Sequence, residues 1–209
     1  MPDTVASLYE QLFPLTTVMG QRVVENFSGD ALNTDRWTLG GTSTPTATME
    51  DTVDGGIKVS TSGTINHWSA LTFNNIHPFS ASGVTIIWVS QRDTGNAKAR
   101  HGLTHLGATA EAFAEHHSFL VHGENANIMF ETGNGTNSST DSGVNVTLNA
   151  VLNKIEMGAS DGKYSNASGL LATKTTNLPT TTQQPFLYHW SAESAVRSIN
   201  YRYCEAYNT

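Results

Sequence analysis

The chain has 209 residues, of which 38% are hydrophobic and 14% are charged, and its formal net charge is -7 at pH 7. This length suits one all-β domain with a short appendage, and four Trp, six Tyr and eight Phe suffice for a sizeable core, so the composition excludes a disordered chain. Because the eleven Lys and Arg are scattered and only one Cys is present, the sequence also excludes a nucleic-acid surface and an internal disulfide framework.

Residues 1–21 are predicted to form an arm that carries a short helix. Asp3 or Thr4 can cap a helix over residues 3–13, in which apolar residues recur at helical spacing before Pro14 ends the pattern. A helix of this length is marginal alone, so it is expected either to lie on its own domain or to dock on a partner subunit. The arm lacks the basic region and unbroken apolar core of a secretory signal, and no apolar run approaches the ~20 residues of a membrane span. We therefore expect a soluble protein, made in the cytoplasm, with no membrane partner.

Residues 22–209 are predicted to contain only strands and turns, and turn signals such as Asp54-Gly55 separate the strands. The predicted strands are residues 23–27, 32–39, 56–61, 68–73, 83–91, 117–122, 126–132, 144–149, 153–157, 169–174, 185–190 and 196–207. Many short strands at even spacing indicate a β-sandwich or jelly roll.

Two of these strands have a predicted position in the fold. Residues 83–91 contain a run of consecutive apolar side chains, so this strand is expected at the centre of a sheet with both faces covered. In the last strand, Ile199, Tyr201 and Tyr203 alternate with polar residues, which predicts that these three side chains face the core.

Two stretches are not predicted to be strands. Residues 92–118 form the least regular segment, in which residues 108–116 are either a short helix or part of a loop. Residues 133–143 are rich in Gly but lack the Lys and the following helix that a phosphate site needs, so a solvated hairpin loop is predicted.

Residues with catalytic or metal-binding chemistry are sparse. His101 and His105 stand four apart, but no acidic or Cys residue at close spacing completes a metal site. Glu111 and Glu115 come nearest to the paired carboxylates of a glycosidase, yet they lie in an irregular segment without an aromatic platform. The sequence also lacks a phosphate loop, a dinucleotide fingerprint and a nucleophile elbow. We therefore predict no catalytic residue, no metal and no cofactor.

Four segments, in their order along the chain, resemble a known fold family. They are FSGDALNTDRWTL (27–39), GVTIIWVSQ (83–91) before RHGLTHLG, KYSNASGLLATKTTNLP (163–179) and the final INYRYCEAYNT. The series is similar to the concanavalin A-like, laminin-G-type jelly roll, most of all as carried by virion structural proteins of tailed phages. The resemblance implies a two-sheet antiparallel sandwich over residues 22–209, with Trp37 and Tyr203 as core aromatics and Leu170 beside a tight turn.

The chain departs from two other branches of that superfamily. Glucanases of this fold resemble one another in an E-x-D-x-x-E or E-x-D-x-E strand, which does not occur in this sequence. Legume-type lectins carry an acidic metal-binding cluster in one loop, and no such cluster is recognisable either. These absences lead to the expectation that the protein is not an enzyme.

The phage resemblance implies a structural role in the virion. We expect a capsid decoration (cement) protein on the outer surface of a phage head, made as a homo-oligomer such as a trimer. Its partner is expected to be the major capsid protein, contacted through the arm residues Leu8, Tyr9, Leu12 and Phe13.

The alternative is a carbohydrate-binding adhesin module of a tail fibre or capsid surface. In that case Trp68 and Trp190 are the candidate glycan-stacking residues. The competing interpretation of both Trp side chains is core packing, because Trp is highly buried on average.

Overall fold

The computed structural model describes residues 22–50, 55–74, 79–105, 118–122 and 127–209. The described part of the chain consists of strands and connecting turns with no α-helix, and it contains no helix that could cross a membrane. The predicted helix over residues 3–13, with Leu8, Tyr9, Leu12 and Phe13, lies outside the described residues, as do Glu111 and Glu115.

Fifteen strands run through the described residues. In chain order they are β1 Arg22–Glu25, β2 Trp37–Gly41, β3 Thr46–Met49, β4 Ile57–Ser60, β5 Trp68–Phe73, β6 Val84–Arg92, β7 Ala97–His105, β8 Ser118–His122, β9 Asn127–Gly133, β10 Asn137–Asn145, β11 Val151–Met157, β12 Gly162–Asn166, β13 Gly169–Lys174, β14 Gln183–Ser191 and β15 Ser198–Asn208.

The strands form two antiparallel sheets that enclose one main core. The first sheet has the order β13-β12-β11-β6-β15-β4-β3, and β1 pairs with the part of β15 that β4 leaves open. The second sheet has the order β10-β9-β8-β7-β14-β5-β2. This arrangement confirms the predicted all-β, two-sheet antiparallel sandwich.

Large aromatic side chains fill the space between the sheets. Trp37 is 1% exposed, and the rings of Phe27 and Phe73 lie 5.5 and 5.3 Å from its ring. Its indole Nε1 donates a hydrogen bond of 3.3 Å to the carboxylate of Glu25. Trp37 is therefore the core aromatic that was expected.

The apolar strand β6 lies at the centre of the first sheet, between β11 and β15, as predicted. Its inward side chains Ile86 and Trp88 are fully buried. The outward side chains Ile87 and Val89 are only half-buried, so the prediction that both faces are covered holds fully for the inner face alone.

The last strand, β15, departs from its predicted alternation. Ile199 and Tyr201 face the core and are fully buried, but a β-bulge shifts the register against β6 between Tyr201 and Tyr203. The extra residue of a bulge moves the following side chains to opposite faces. Cys204 is consequently buried, whereas Tyr203 faces outward, so the prediction that Tyr203 lies in the core is wrong.

Three strands lie in segments that were not predicted to be strands, namely β3, β7 and most of β10. The inward positions of β7 include Ala97, Ala99 and His101, which are small or polar, so the segment lacks a period-2 apolar signal. Strand β10 carries mostly Ser, Thr, Asn and Asp and extends only to Asn145, although a strand was predicted over 144–149. Backbone pairing with long neighbouring strands, rather than hydrophobic alternation, holds these segments in the sheet.

Candidate surface aromatic site

The outer face of the second sheet carries a cluster of aromatic side chains apart from the main core. Side chains alternate between the two faces along a strand. On β14, Leu187 belongs to the core between the sheets. Phe186 and Tyr188 instead form a separate apolar cluster with Ala70 of β5, against which Trp68 and Trp190 pack. The sequence-predicted residues Trp68 and Trp190 thus lie together and outside the sandwich core.

The rings of this cluster form a continuous row. Trp68 and Trp190 are directly opposite each other in the β5–β14 pairing. Their ring centroids lie 5.8 and 5.5 Å, respectively, from that of Tyr188, at interplanar angles of 37° and 39°. Phe186 stacks on the other side of Tyr188, with centroids 5.8 Å apart and an interplanar angle of 12°. We call Trp68, Tyr188, Trp190 and Phe186 the aromatic row.

Exposure falls along the aromatic row. Trp68 and Trp190 are half-buried, whereas Tyr188 is 9% and Phe186 is 1% exposed. The indole of Trp68 lies beside Gly40 of β2, where an added Cβ would be 3.7 Å from Cζ3. The two tryptophans therefore offer partly open ring surface, and the deeper rings support them.

Polar groups border the row on the side of β7. Lys98 and Arg100 are opposite Trp190 and Tyr188, so both lie on the outer face. The Arg100 guanidinium carbon is 5.9 Å from the Trp190 ring centroid. Its Nη1 lies 3.9 Å from Oε1 of Glu131, which is 4% exposed. Arg100 therefore connects the aromatic row to an acidic group two strands away.

A second carboxylate occupies the same face near Glu131. Glu131 is opposite Ser139, and Asp141 is opposite Met129, so the two acids stand at diagonal positions of the β9–β10 pair. Diagonal neighbours of this kind have Cα atoms about 7–8 Å apart. Hydrogen bonds from Asn127 and from the backbone N–H of Gly143 lower the pKa of Asp141. Ser139 donates a hydrogen bond of 3.0 Å to Oε2 of Glu131.

His101, one of the two histidines that stand four apart and were not predicted to bind a metal, lies apart from the aromatic row. His101 is buried between the sheets, and its Nε2 lies 3.0 Å from the hydroxyl of Tyr201. Burial, with the nearby charges of Arg92 and His189, lowers the pKa of His101 well below its usual value. No group of three or more His, Cys, Asp or Glu side chains suitable for a metal ion occurs within the described residues.

Sequence reasoning identified two members of the site and missed the rest. Phe186, Tyr188 and Trp190 occupy every second position of one predicted strand, and this alternation was a usable signal for an aromatic face. Arg100 gave no such signal because β7 was not predicted to be a strand. Glu131 was likewise missed, because its position near Arg100 depends on the pairing of β7, β8 and β9.

Comparison with known proteins finds similarity in structure only. No family model and no curated protein sequence matches the chain. A β-glucanase of Bacillus licheniformis aligns with a TM-score of 0.65 at 12% identity, covering 92% of this chain and 100% of that one. The Emp47p carbohydrate recognition domain aligns at 0.63 and 7%, covering 90% and 94%. An immunostimulatory antigen and pseudo-β-1,3-glucanase of Mycobacterium tuberculosis aligns at 0.64 and 8%, covering 90% and 98%. At these identities the likeness shows the fold alone, which is a concanavalin A-like jelly roll.

Two expectations are contradicted by these similarities. The similar structures are described as glucanases, a glycosidic hydrolase and a carbohydrate recognition domain, so the prediction of a capsid cement protein is wrong. The prediction that the chain is not an enzyme is contradicted as well, because hydrolases recur among them. The homo-oligomer and the virion location stay untested predictions.

Proposed function

We propose that the protein binds a glycan on the outer face of the second sheet, with the aromatic row as the platform. The observation that carries this proposal is the placement of Trp68 and Trp190. They are side by side, in register and half-buried on the outer face, although core packing was the competing interpretation.

The aromatic row offers the apolar contact that binding a sugar requires. The apolar face of a pyranose carries C–H groups, which pack favourably on the negative face of an aromatic ring. Exposed apolar surface has a solvation cost that such a contact relieves. Two adjacent indoles supported from below by Tyr188 form a rigid surface, so little side-chain entropy is lost on binding.

Charged groups beside the row can orient the bound sugar. Ligand sites combine apolar walls with a few placed polar groups that fix orientation. The guanidinium carbon of Arg100 is 5.9 Å from the Trp190 ring centroid, and Arg100 reaches Glu131, so a sugar bound at Trp190 would contact the guanidinium. Lys98 lies on the same side, opposite Trp190.

Binding to defined polysaccharides tests the proposal. The probes are soluble mixed-linkage β-glucan, β-1,3-glucan and alginate, measured by isothermal titration calorimetry and affinity electrophoresis. We expect W190A to weaken binding at least tenfold, and W68A/W190A to abolish it. The matched control L152A removes an apolar side chain, 44% exposed, from the first sheet, and it should bind like the wild type.

Two results would count against glycan binding. One is an unchanged affinity of folded W68A/W190A for a glycan that the wild type binds. The other is the absence of binding by the wild type across a broad glycan array.

Hydrolysis of the bound glycan is a second candidate function, favoured by the placement of Glu131 and Asp141. Glycosidases use two carboxyl groups about 5–10 Å apart across the scissile bond. The diagonal placement of these acids is compatible with that range. Asp141 is ionised near neutral pH, as a base or nucleophile must be, and its lowered pKa extends this ionised range to more acidic pH.

Reducing-end release from the polysaccharide that binds tests hydrolysis. We expect E131Q and D141N each to lower the rate at least 100-fold while binding is retained. If the wild type releases no reducing ends from any glycan that it binds, hydrolysis is rejected and binding alone remains.

A further inference from the structure

Four neighbouring strands of the second sheet contain no acidic residue. They are β7, β14, β5 and β2, which lie next to one another in this order. None of the 18 Asp and Glu residues of the chain falls in them, although the net charge of the chain is -7. Their only Lys and Arg residues are Lys98 and Arg100, which both lie on the outer face. The aromatic row therefore belongs to a positively charged part of an acidic protein.

Lys98 carries the positive charge that is left for a ligand. The Nη1 of Arg100 lies 3.9 Å from Oε1 of Glu131, so this cation already has an acidic partner. Lys98 is half-buried, yet its side chain makes no hydrogen bond or ion pair with any residue that the structure describes. Lysine is rarely buried without a partner for its ammonium group.

The acidic residues at the same end of these strands have a different partner. Asp93 precedes β7, and Glu193 follows β14. Nη1 of Arg197 lies 3.9 Å from Oδ2 of Asp93, and its Nη2 contacts Oε1 of Glu193. Both acids therefore contact Arg197 rather than Lys98.

Lys98, Trp190 and Trp68 lie in one line across three adjacent strands. Trp190 is directly opposite Lys98 in the β7–β14 pair and directly opposite Trp68 in the β14–β5 pair. Neighbouring strands are about 4.8 Å apart, which is close to the length of one pyranose unit in a β-1,4-linked chain. A linear glycan that crosses the strands would therefore place successive sugars at Trp68, at Trp190 and at Lys98.

We propose that the glycan bound by the aromatic row is a β-1,4-linked polyuronate, and that Lys98 binds one of its carboxylates. This assignment rests on the glycan binding proposed above. The carboxylate of a uronate projects from the edge of the ring, so the face of the ring remains free to stack on an indole. An ammonium group donates charge-assisted hydrogen bonds to a carboxylate, and these are stronger than hydrogen bonds to a neutral hydroxyl. A uronate chain should therefore bind more tightly than a neutral chain of the same shape.

Two hexasaccharides with the same linkage test the assignment, because they differ only in the carboxylate. β-1,4-linked hexamannuronate carries a carboxylate on each sugar, whereas β-1,4-linked mannohexaose carries a hydroxymethyl group in its place. In isothermal titration calorimetry at low salt, we expect the wild type to bind hexamannuronate at least tenfold more tightly. The difference should shrink as sodium chloride approaches about 1 M, where the screening length is about 3 Å.

Substitution of two lysines shows which cation is responsible. K98M should bring the ratio of the two affinities close to one, and K98R should retain the preference because it keeps the positive charge. The matched control is K58M, since Lys58 is exposed on β4 of the first sheet. K58M should bind both hexasaccharides like the wild type.

Several results would overturn the assignment. They are the absence of binding to hexamannuronate, equal affinity of the wild type for the two hexasaccharides, and a preference for hexamannuronate that persists in folded K98M. Equally tight binding of poly-L-glutamate would also overturn it, because it would indicate a general attraction to polyanions. If K98M does not fold, the comparison of poly-L-glutamate with hexamannuronate on the wild type decides.

Failure of this assignment is distinguishable from failure of the glycan proposal. A wild type that binds mannohexaose or β-glucan as tightly as hexamannuronate would refute the polyuronate class and leave glycan binding intact. Glycan binding itself fails only if the wild type binds no glycan, or if folded W68A/W190A binds like the wild type.

Discussion

The outer faces of the two sheets differ, although both belong to the same sandwich. The outer face of the first sheet carries ion pairs, such as Arg22 with Glu205 at 2.7 Å and Lys154 with Glu156 at 2.8 Å. The corresponding face of the second sheet carries the aromatic row. Because the first sheet folds with a charged outer face, the jelly roll does not itself require aromatic rings on the outside. Tyr203 also faces outward, from the first sheet, but the four packed rings of the aromatic row lie on the second sheet, and this clustering supports the binding proposal.

The largest expected effect comes from replacing a tryptophan in the core and comparing the loss of stability with that for a tryptophan on the outer face. We expect W37A to lower the free energy of unfolding by about 3–5 kcal/mol, because it leaves a cavity in the core. W190A should lower it by only about 1 kcal/mol, since half-buried ring surface is lost without a core cavity. Urea denaturation monitored by circular dichroism measures both values. A loss for W190A as large as for W37A would mean that the aromatic row is structural.

Lowering the pH should destabilise the fold through a histidine on the inner face of the second sheet. His189 faces inward, is fully buried and lies 3.1 Å from Oγ of Ser69 through Nε2. Burial lowers its pKa from 6.5 to about 4. Between these two values the unfolded state binds more protons than the folded state, so stability falls as pH falls from 6.5 to about 4. The expected loss from this group is about 3 kcal/mol at most.

Urea midpoints measured at intervals from pH 7 to pH 4 check this prediction. The variant H189Q should lose much of the slope, although buried His101 contributes in the same direction. A wild-type protein with equal stability at pH 7 and pH 4.5 would contradict the assigned burial of both histidines.

The smallest expected effects come from replacing one arginine on each outer face by glutamine. R100Q removes the group between Trp190 and Glu131, and R22Q removes the ion pair with Glu205. R22Q should change the free energy of unfolding by no more than about 1 kcal/mol, because Arg22 is partly exposed. R100Q should lower it by about 2 kcal/mol, because the carboxylate of Glu131 is buried. Only R100Q should weaken glycan binding, by roughly tenfold. Equal affinities for R100Q and R22Q in calorimetry would remove Arg100 from the site.

Strands with a clear apolar or aromatic pattern could be predicted from the sequence. The predicted bounds of β5 and β13, residues 68–73 and 169–174, agree with the structure. In contrast, β7 and β10 were missed because their side chains do not alternate between apolar and polar. Their strand conformation follows from pairing with neighbours distant in sequence, which a local pattern does not report.

The sequence indicated which residue types could form the candidate site, but not which of these residues lie next to each other. Trp68 and Trp190 were selected as possible stacking residues, yet they are 122 positions apart in the sequence and their contact depends on the β5–β14 register. The bulge in β15 shows the same limit, because one extra residue moved Tyr203 outward. In both cases the decisive information is the pairing partner of each strand.

The pairing of β1 with the end of β15 determines on which side of the domain a surface or a fusion partner can be attached. Arg22 is opposite Tyr207, so the two ends of the described fold meet in the first sheet. The aromatic row lies on the far side of the sandwich, on the outer face of the second sheet. A bead, sensor surface or fusion partner joined at Thr209 would therefore leave the rings facing away from the support. The same closeness of the ends allows a circularly permuted chain, with a short linker from residue 209 to residue 22 and new termini opened at the exposed turn of residues 134–136.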